Sequence, residues 1–239
     1  MAKKTNSALQ SSLPTARVSR FHPALIGGCT TVFAQTQRQT PVGVHFRQSD
    51  LDGACGLHSV AMILSILGLC KANACEQMAV RRHGVVSRVW SAIGHSFFTG
   101  IDALDLCEAL RSLDIPLKLR GRYTDDVRDV SAHNDVERLA LTSLRQGSLV
   151  MISYRSLRNR HAHWLVTVGV GGLETKRVVL FDTIYALDCA DDTIPLAQYN
   201  CVLTKMATAK TKRPQWRVDG RGGSFGPVVL TAAIRFEAL

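Results

Sequence analysis

His163-Trp164-Leu165-Val166-Thr167-Val168-Gly169-Val170-Gly171-Gly172 is the stretch from which the fold is read. It is an apolar, β-branched run that ends in a glycine pair, and Val178–Asp182 follows as a second such run. Two runs of this kind around a Gly-Gly connection predict an antiparallel hairpin. In such a hairpin the end of one strand lies beside the start of the other, so Asp182 is expected next to His163. Leu149–Tyr154 upstream and Val228–Phe236 downstream read as further strands. Before Gly147 the period is helical. Leu57, Val60, Ala61, Ile63, Leu64 and Leu67 form a helix that is apolar nearly all round, hence buried, with Gly68 as its stop. Further helices are expected over residues 73–83, 87–95, 101–113 (Asp102 as N-cap) and 135–146, the last preceded by Asn134 and closed by Gly147. Helices first and antiparallel strands afterwards predict an α+β domain, with an N-terminal helical lobe, a C-terminal sheet lobe and a cleft between them.

Composition agrees with a folded domain. Of 239 residues, 46% are hydrophobic and 20% charged, outside the range of disordered chains. The net charge of +10 is concentrated: residues 1–22 carry +4 and residues 205–222 carry +5. The first stretch reads as a disordered basic arm and residues 23–239 as the domain. Residues 205–227 read as a basic, Gly-rich loop or insertion. The Lys205–Arg221 stretch can meet an anionic partner, but no helix-turn-helix, RNP or zinc-finger pattern accompanies the charge, so no specific nucleic-acid recognition is expected. Seven cysteines, an odd number without a C-x-x-C, suggest reduced thiols and neither a disulfide framework nor a zinc ribbon. The chain has no apolar run of transmembrane length and no signal peptide. The expected location is the cytoplasm, or outside the cell by a specialised secretion apparatus.

The chemistry is carried by Gln48-Ser49-Asp50-Leu51-Asp52-Gly53-Ala54-Cys55-Gly56-Leu57-His58. A polar, Gly-containing loop here delivers a cysteine to the entry of a buried helix. Backbone N–H groups and the positive end of the helix dipole favour an anion at that place. A thiol nucleophile needs a base held within hydrogen-bond reach. His163 is that base, Asp182 orients it, and Gln48 with the Cys55 N–H forms an oxyanion hole. His161 is the nearest competitor for the base and Asp188 the fallback for the acid. His58, three residues past Cys55 on the same helix, is expected to be structural.

Three blocks carry a resemblance to a family. They are Gln48…Cys55-Gly56-Leu57…Ala61-Met62-Ile63-Leu64, then Gly100-Ile101…Leu104-Asp105-Leu106…Ala109-Leu110, then His163-Trp164-Leu165-Val166…Leu180-Phe181-Asp182. Over about residues 45–190 the chain resembles the papain-like cysteine peptidases that trim double-glycine leaders from bacteriocins. The resemblance implies a papain-like fold and a Cys-His-Asp set with an oxyanion Gln, here Cys55, His163, Asp182 and Gln48. The chain departs from the family pattern by one extra residue between Gln48 and Cys55, by Ala54, and by Thr183 after Asp182.

The function expected from these residues is hydrolysis of a peptide or amide bond, with a peptide or protein as substrate and neither metal nor organic cofactor. A peptidoglycan amidase or acyl transferase with the same triad, and an inactive peptide-binding module, are the alternatives. Gly27-Gly28 also offers a paired-glycine site at which the enzyme would shed its own basic arm.

Overall fold

The computed structural model describes residues 16–27, 32–35, 41–48, 53–174, 179–190, 198–206, 213–220 and 223–239. Four short strands come first: β1 (Ala16–Phe21), β2 (Leu25–Gly27), β3 (Val32–Ala34) and β4 (Val42–Gly43). Four helices follow: α1 (Cys55–Ile66), α2 (Ala72–Glu76), α3 (Val85–Ile93), extended by a 3₁₀ turn at Gly94–Ser96, and α4 (Ala103–Arg111). Next are β5 (Leu117–Tyr123) and α5 (Val130–Arg145). The remainder is strand: β6 (Leu149–Ser156), β7 (Ala162–Glu174), β8 (Val179–Leu187), β9 (Cys201–Lys205), β10 (Trp216–Gly220) and β11 (Gly223–Ala238).

These last six strands close on themselves in the order β6-β7-β8-β9-β10-β11, each antiparallel to its neighbours, with β11 pairing back onto β6. β1 adds to the far half of β7 and β5 to the far half of β11. β2, β3 and β4 form a separate small sheet. The expected α+β, papain-like arrangement of a helical lobe beside a sheet lobe is therefore overturned. The chain is mostly β, built on a closed six-stranded barrel, with few helices.

The reason lies in the two faces of the barrel wall. Along β6, Val150, Ile152 and Tyr154 join an inner core cluster to which all six barrel strands contribute, together with Val136, Ala140 and Leu144 of α5. The alternate residues Leu149 and Met151 join a second cluster with α1, α2, α3 and α4. A wall apolar on both faces buries one face inside the barrel and the other under helices, which leaves no segregated lobe. α1 is covered on nearly all sides, as its composition requires.

Residues 205–227 are not a loop or insertion throughout: they supply β10, which beside β9 completes the barrel interior with buried Cys201, Leu203, Trp216 and Val218. Trp216 is fully buried and donates its Nε1–H to Glu137 Oε2 at 3.0 Å; Glu137 Oε1 in turn meets Lys205 Nζ at 2.5 Å. Trp216→Ala is expected to cost about 3–5 kcal/mol, since it opens a cavity and strips a buried carboxylate of a donor. A fall in the urea midpoint with unchanged slope is the measurement that checks it.

Asp102 caps α4 as expected, its Oδ1 accepting the Asp105 N–H at 2.9 Å. α5 begins earlier than expected, capped by Asp129 instead of Asn134. Its first turn is anchored by buried His133, whose Nδ1 meets the Leu230 carbonyl at 2.8 Å. Of the expected basic arm, Ala16–Phe21 lies in β1, paired with β7; residues 1–15 and Gly28, with its cleavage site, lie outside the described residues. Cys70 and Cys75 bring their sulfurs to 3.0 Å of each other, and the described cysteines are free thiols.

Gly171 and Gly172 do not form the β7–β8 turn. Strand pairing runs through them, with Gly171 opposite Thr183 and Gly172 opposite Phe181, and continues to Glu174 opposite Val179. The glycines here serve close approach: a Cβ on Gly169 would stand 2.7 Å from the Arg20 carbonyl oxygen, and one on Gly171 2.8 Å from the Tyr185 hydroxyl.

Candidate active site

α1 starts at Cys55, with no side chain capping its N-terminus, so the thiol sits where backbone N–H groups converge. The helix start is pressed against its surroundings. A Cβ on Gly56 would lie 2.6 Å from Ile101 Cγ2 and 3.4 Å from Trp164 Cδ1. Trp164 in turn donates Nε1–H to the Ile101 carbonyl at 2.9 Å, tying β7 to the loop before α4. Cys55 remains partly exposed. It lines a cleft of about 740 Å³ together with Gln48, Gly53, Gly100, His163 and Trp164.

His163 stands near the start of β7, opposite Tyr154 of β6, whose ring meets it edge-on at 5.9 Å. Its side chain is buried and holds Asp188 Oδ1 at 2.7 Å through Nε2, and it shares the cleft wall with Cys55, which is close enough to act on its pKa. Cys55 and His163 are thus together as the sequence suggested. The carboxylate beside them is Asp188, the fallback, and not Asp182. Asp182 lies along β8 between the partners of Gly171 and Gly172 and accepts a hydrogen bond from the Thr183 hydroxyl. Because the hairpin turns after Glu174, six residues of β8 slide past the position at which a Gly171-Gly172 turn would have stopped them. That brings Asp188 to His163.

Asp188 is held from all sides. The Ala190 N–H donates to its Oδ1 at 2.9 Å, and its own N–H donates to Asn200 Oδ1 at 2.8 Å. Its carbonyl accepts from Asn200 Nδ2 at 3.0 Å and meets His45 Nε2 at 2.8 Å. Neither Asn200 nor His45 was singled out from the sequence; both act through the backbone of Asp188, which no local pattern announces. Gln48 is brought to the site by its N–H, which donates to the Cys189 carbonyl at 2.7 Å, while its Oε1 accepts from the Cys189 thiol at 3.3 Å. His161 is exposed, with its ring 6.0 Å from that of His163. Burial and the neighbouring His163 lower its pKa, and the bond to Asp188 is made by His163. His58 lines a second, largely apolar cavity of about 910 Å³ with Phe46, Trp90 and Phe97, away from the thiol.

Burial alone would favour neutral imidazole at His163. The hydrogen bond to Asp188 and the nearby Cys55 outweigh it and raise the pKa to about 10. Burial would likewise raise Asp188, but the bond to His163 holds its carboxyl below the usual range. The signs give the pH dependence. The His163 contribution to stability is fully present below its unfolded value near 6.5 and is lost as pH rises through about 10. That of Asp188 is present above 3.8 and is lost as pH falls through its depressed value. His163→Ala is expected to flatten the loss of stability between pH 7 and 10, measured as Tm against pH.

His163, Asp188 and Cys189 each offer a ligand atom within 4.8 Å of the others, the grouping among the described residues that fits a metal ion. A cation there would compete with the His163–Asp188 hydrogen bond for the same atoms. No helix among the described residues is long and apolar enough to cross a membrane. No protein-family model and no curated protein matches this chain.

Proposed function

We propose that the chain is a thiol hydrolase that cleaves a peptide or amide bond through an acyl-enzyme on Cys55. One observation carries this reading: Cys55 and His163 line the same open cleft, and His163 is hydrogen-bonded to buried Asp188. The Cys55 thiol gives its proton to His163 as the sulfur adds to the carbonyl carbon, and the C=O π pair moves onto oxygen. Gln48 and Cys55 line that cleft, and the Cys55 N–H with the Gln48 side-chain amide is assigned to the oxyanion. Collapse breaks the C–N bond while His163 hands its proton to the leaving amine. Water then adds to the thioester, gives a proton to His163, and the sulfur leaves. Asp188 keeps the imidazole in one tautomer and orientation and balances its charge. The resemblance of the blocks around Cys55 and His163 to leader-trimming peptidases favours a peptide as the acyl donor.

The test is acylation by activated peptide esters in ¹⁸O-water. The expected result is a transient acyl mass on Cys55, followed by an acid product carrying one labelled oxygen. A stable failure to acylate across a varied panel of esters would remove the reading. Acylation that resolves only when an amine is added would turn hydrolysis into transfer.

A further inference from the structure

A second polar pocket, of about 260 Å³, lies where α5 packs on β5 and β11. It shares no lining residue with the cleft that holds Cys55. Four arginines line it, Arg120 and Arg122 from β5, Arg235 from β11 and Arg138 from α5, against one carboxylate, Asp135. Strand register brings them together. Leu117 and Leu119 pack on the helix-side core, so the alternate residues Lys118, Arg120 and Arg122 share the other face of β5. Lys118 faces Glu237 across the pair, an ordinary match of charges, but Arg120 stands directly opposite Arg235. Arg122 is the diagonal neighbour of Arg235 on that face. Like charges so placed destabilise a sheet; an anion between them reverses the sign.

Two of the four arginines are neutralised within the protein. Arg138 pairs with Asp135 at 2.7 Å, while Arg235 pairs with Glu237 and donates Nη1–H to Gln146 Oε1 at 2.7 Å. Arg120 and Arg122 have no carboxylate partner among the described residues, and Arg122 donates to the Gly121 carbonyl at 3.3 Å. Ser143 of α5 also lines the pocket and is 1% exposed. Its hydroxyl and the Arg235 Nε–H are buried donors without a hydrogen-bond partner among the described residues. Orphaned buried donors call for an acceptor, such as an ion or a water.

We infer that this pocket binds a tetrahedral oxyanion of the phosphate class, as the free ion or as a phosphomonoester. Charge decides among the anions. A phosphomonoester carries about −1.5 to −2 at pH 7, which matches the two arginines left over; a carboxylate carries a single charge. Guanidinium groups present parallel N–H donors to oxygen pairs. Here they come from two adjacent strands and the helix packed over them, which suits four oxygens better than two. At about 30 Å³ per water the volume equals roughly eight waters, room for one phosphoryl group with part of its hydration shell. Such a site stands whether or not Cys55 forms an acyl-enzyme.

Calorimetric titration with inorganic phosphate and with phenyl phosphate, at constant ionic strength, tests the site. The expected result is saturable binding of one phosphate per chain. Arg120→Gln is expected to weaken it about tenfold or more, through loss of a charge-assisted contact. Arg158→Gln removes the same charge from an exposed turn outside the pocket and is expected to leave binding within about twofold. Arg122→Gln serves as the second variant if the melting curve shows that Arg120→Gln does not fold. Tighter binding of phenyl phosphate marks a monoester as the ligand, and tighter binding of phosphate marks the free ion; both uphold the site. Absence of saturable phosphate binding to the wild type overturns it. So does an equal loss in Arg158→Gln, which signals diffuse surface charge. Binding of an oligonucleotide without binding of phosphate makes the patch a polyanion surface and overturns it as well.

Discussion

Asp188→Asn is expected to lower kcat by roughly 10⁴-fold, and Asp182→Asn to leave it within about twofold. The asymmetry follows from what each carboxylate touches. Asp188 accepts from His163 Nε2 at 2.7 Å in a buried setting, so its charge selects the tautomer with the proton on Nε2 and stabilises the imidazolium. An amide in its place loses the charge whichever way it faces: its oxygen at the Oδ1 position still accepts from Ala190 and Nε2, while its NH₂ group there satisfies the wrong tautomer and opposes the Ala190 N–H. Asp182 meets the Thr183 hydroxyl, which an asparagine oxygen accepts equally well. The pH profile supplies a second sign. The bond to Asp188 leads the effects that hold the His163 pKa up at about 10, so its loss moves the alkaline limb of the rate to lower pH. Steady-state kinetics on both variants decide the matter. A larger loss at Asp182, or equal losses, would remove Asp188 from the site.

That single exchange also marks how far the site could be read before the fold was known. Cys55 was legible because its setting is local: a Gly-containing loop followed by an apolar helix. His163 was legible because it opens a β-branched run. The acid depends on strand register, and register depends on where the hairpin turns. Gly171-Gly172 resembled a turn, but Gly171 answers to a tertiary demand, the approach of the Tyr185 ring, as Gly169 answers to that of β1. Close approach and a turn leave the same mark in a sequence. The barrel was hidden for a similar reason. β9 and β10 are five residues each, with every second side chain buried, and they lie among lysines and arginines that suggest a solvated loop. β5 is likewise masked, since Leu117 and Leu119 alternate with Lys118 and Arg120 and only half-bury. α3 and α4 lie within a turn of the expected spans, because their signal is contained in the segment itself, whereas α2 ends at Glu76 and not at 83, and α5 starts at Val130 and not at 135. Sheet closure is a relation between segments 60 residues and more apart, as for β6 and β11, and no window of sequence contains it.

Cys55→Ala is expected to reduce turnover by about 10⁶-fold and to abolish the covalent adduct with a peptidyl chloromethyl ketone, which in the wild type is expected at one site per chain. Among the described thiols, Cys75, Cys107, Cys189 and Cys201 are buried, and Cys70 sits against Cys75, so exposure alone favours Cys55. Cys189 is the nearest substitute, with its sulfur within 4.8 Å of ligand atoms of His163 and Asp188. It is expected not to take over. Its side chain is fully buried and its S–H is spent on Gln48, so an electrophile seated in the cleft has no line of approach to it. Cys55→Ser is expected to be nearly as inactive, because a hydroxyl is a poor nucleophile at neutral pH. Removing the thiol also takes away one of the contacts that keep His163 protonated. Intact-mass measurement after inhibitor treatment, followed by peptide mapping, reads the adduct directly. Hydrolysis in Cys55→Ala above about a hundredth of the wild-type rate would place the nucleophile elsewhere. The grouping of sulfur, imidazole and carboxylate would then be a structural one at the foot of α1.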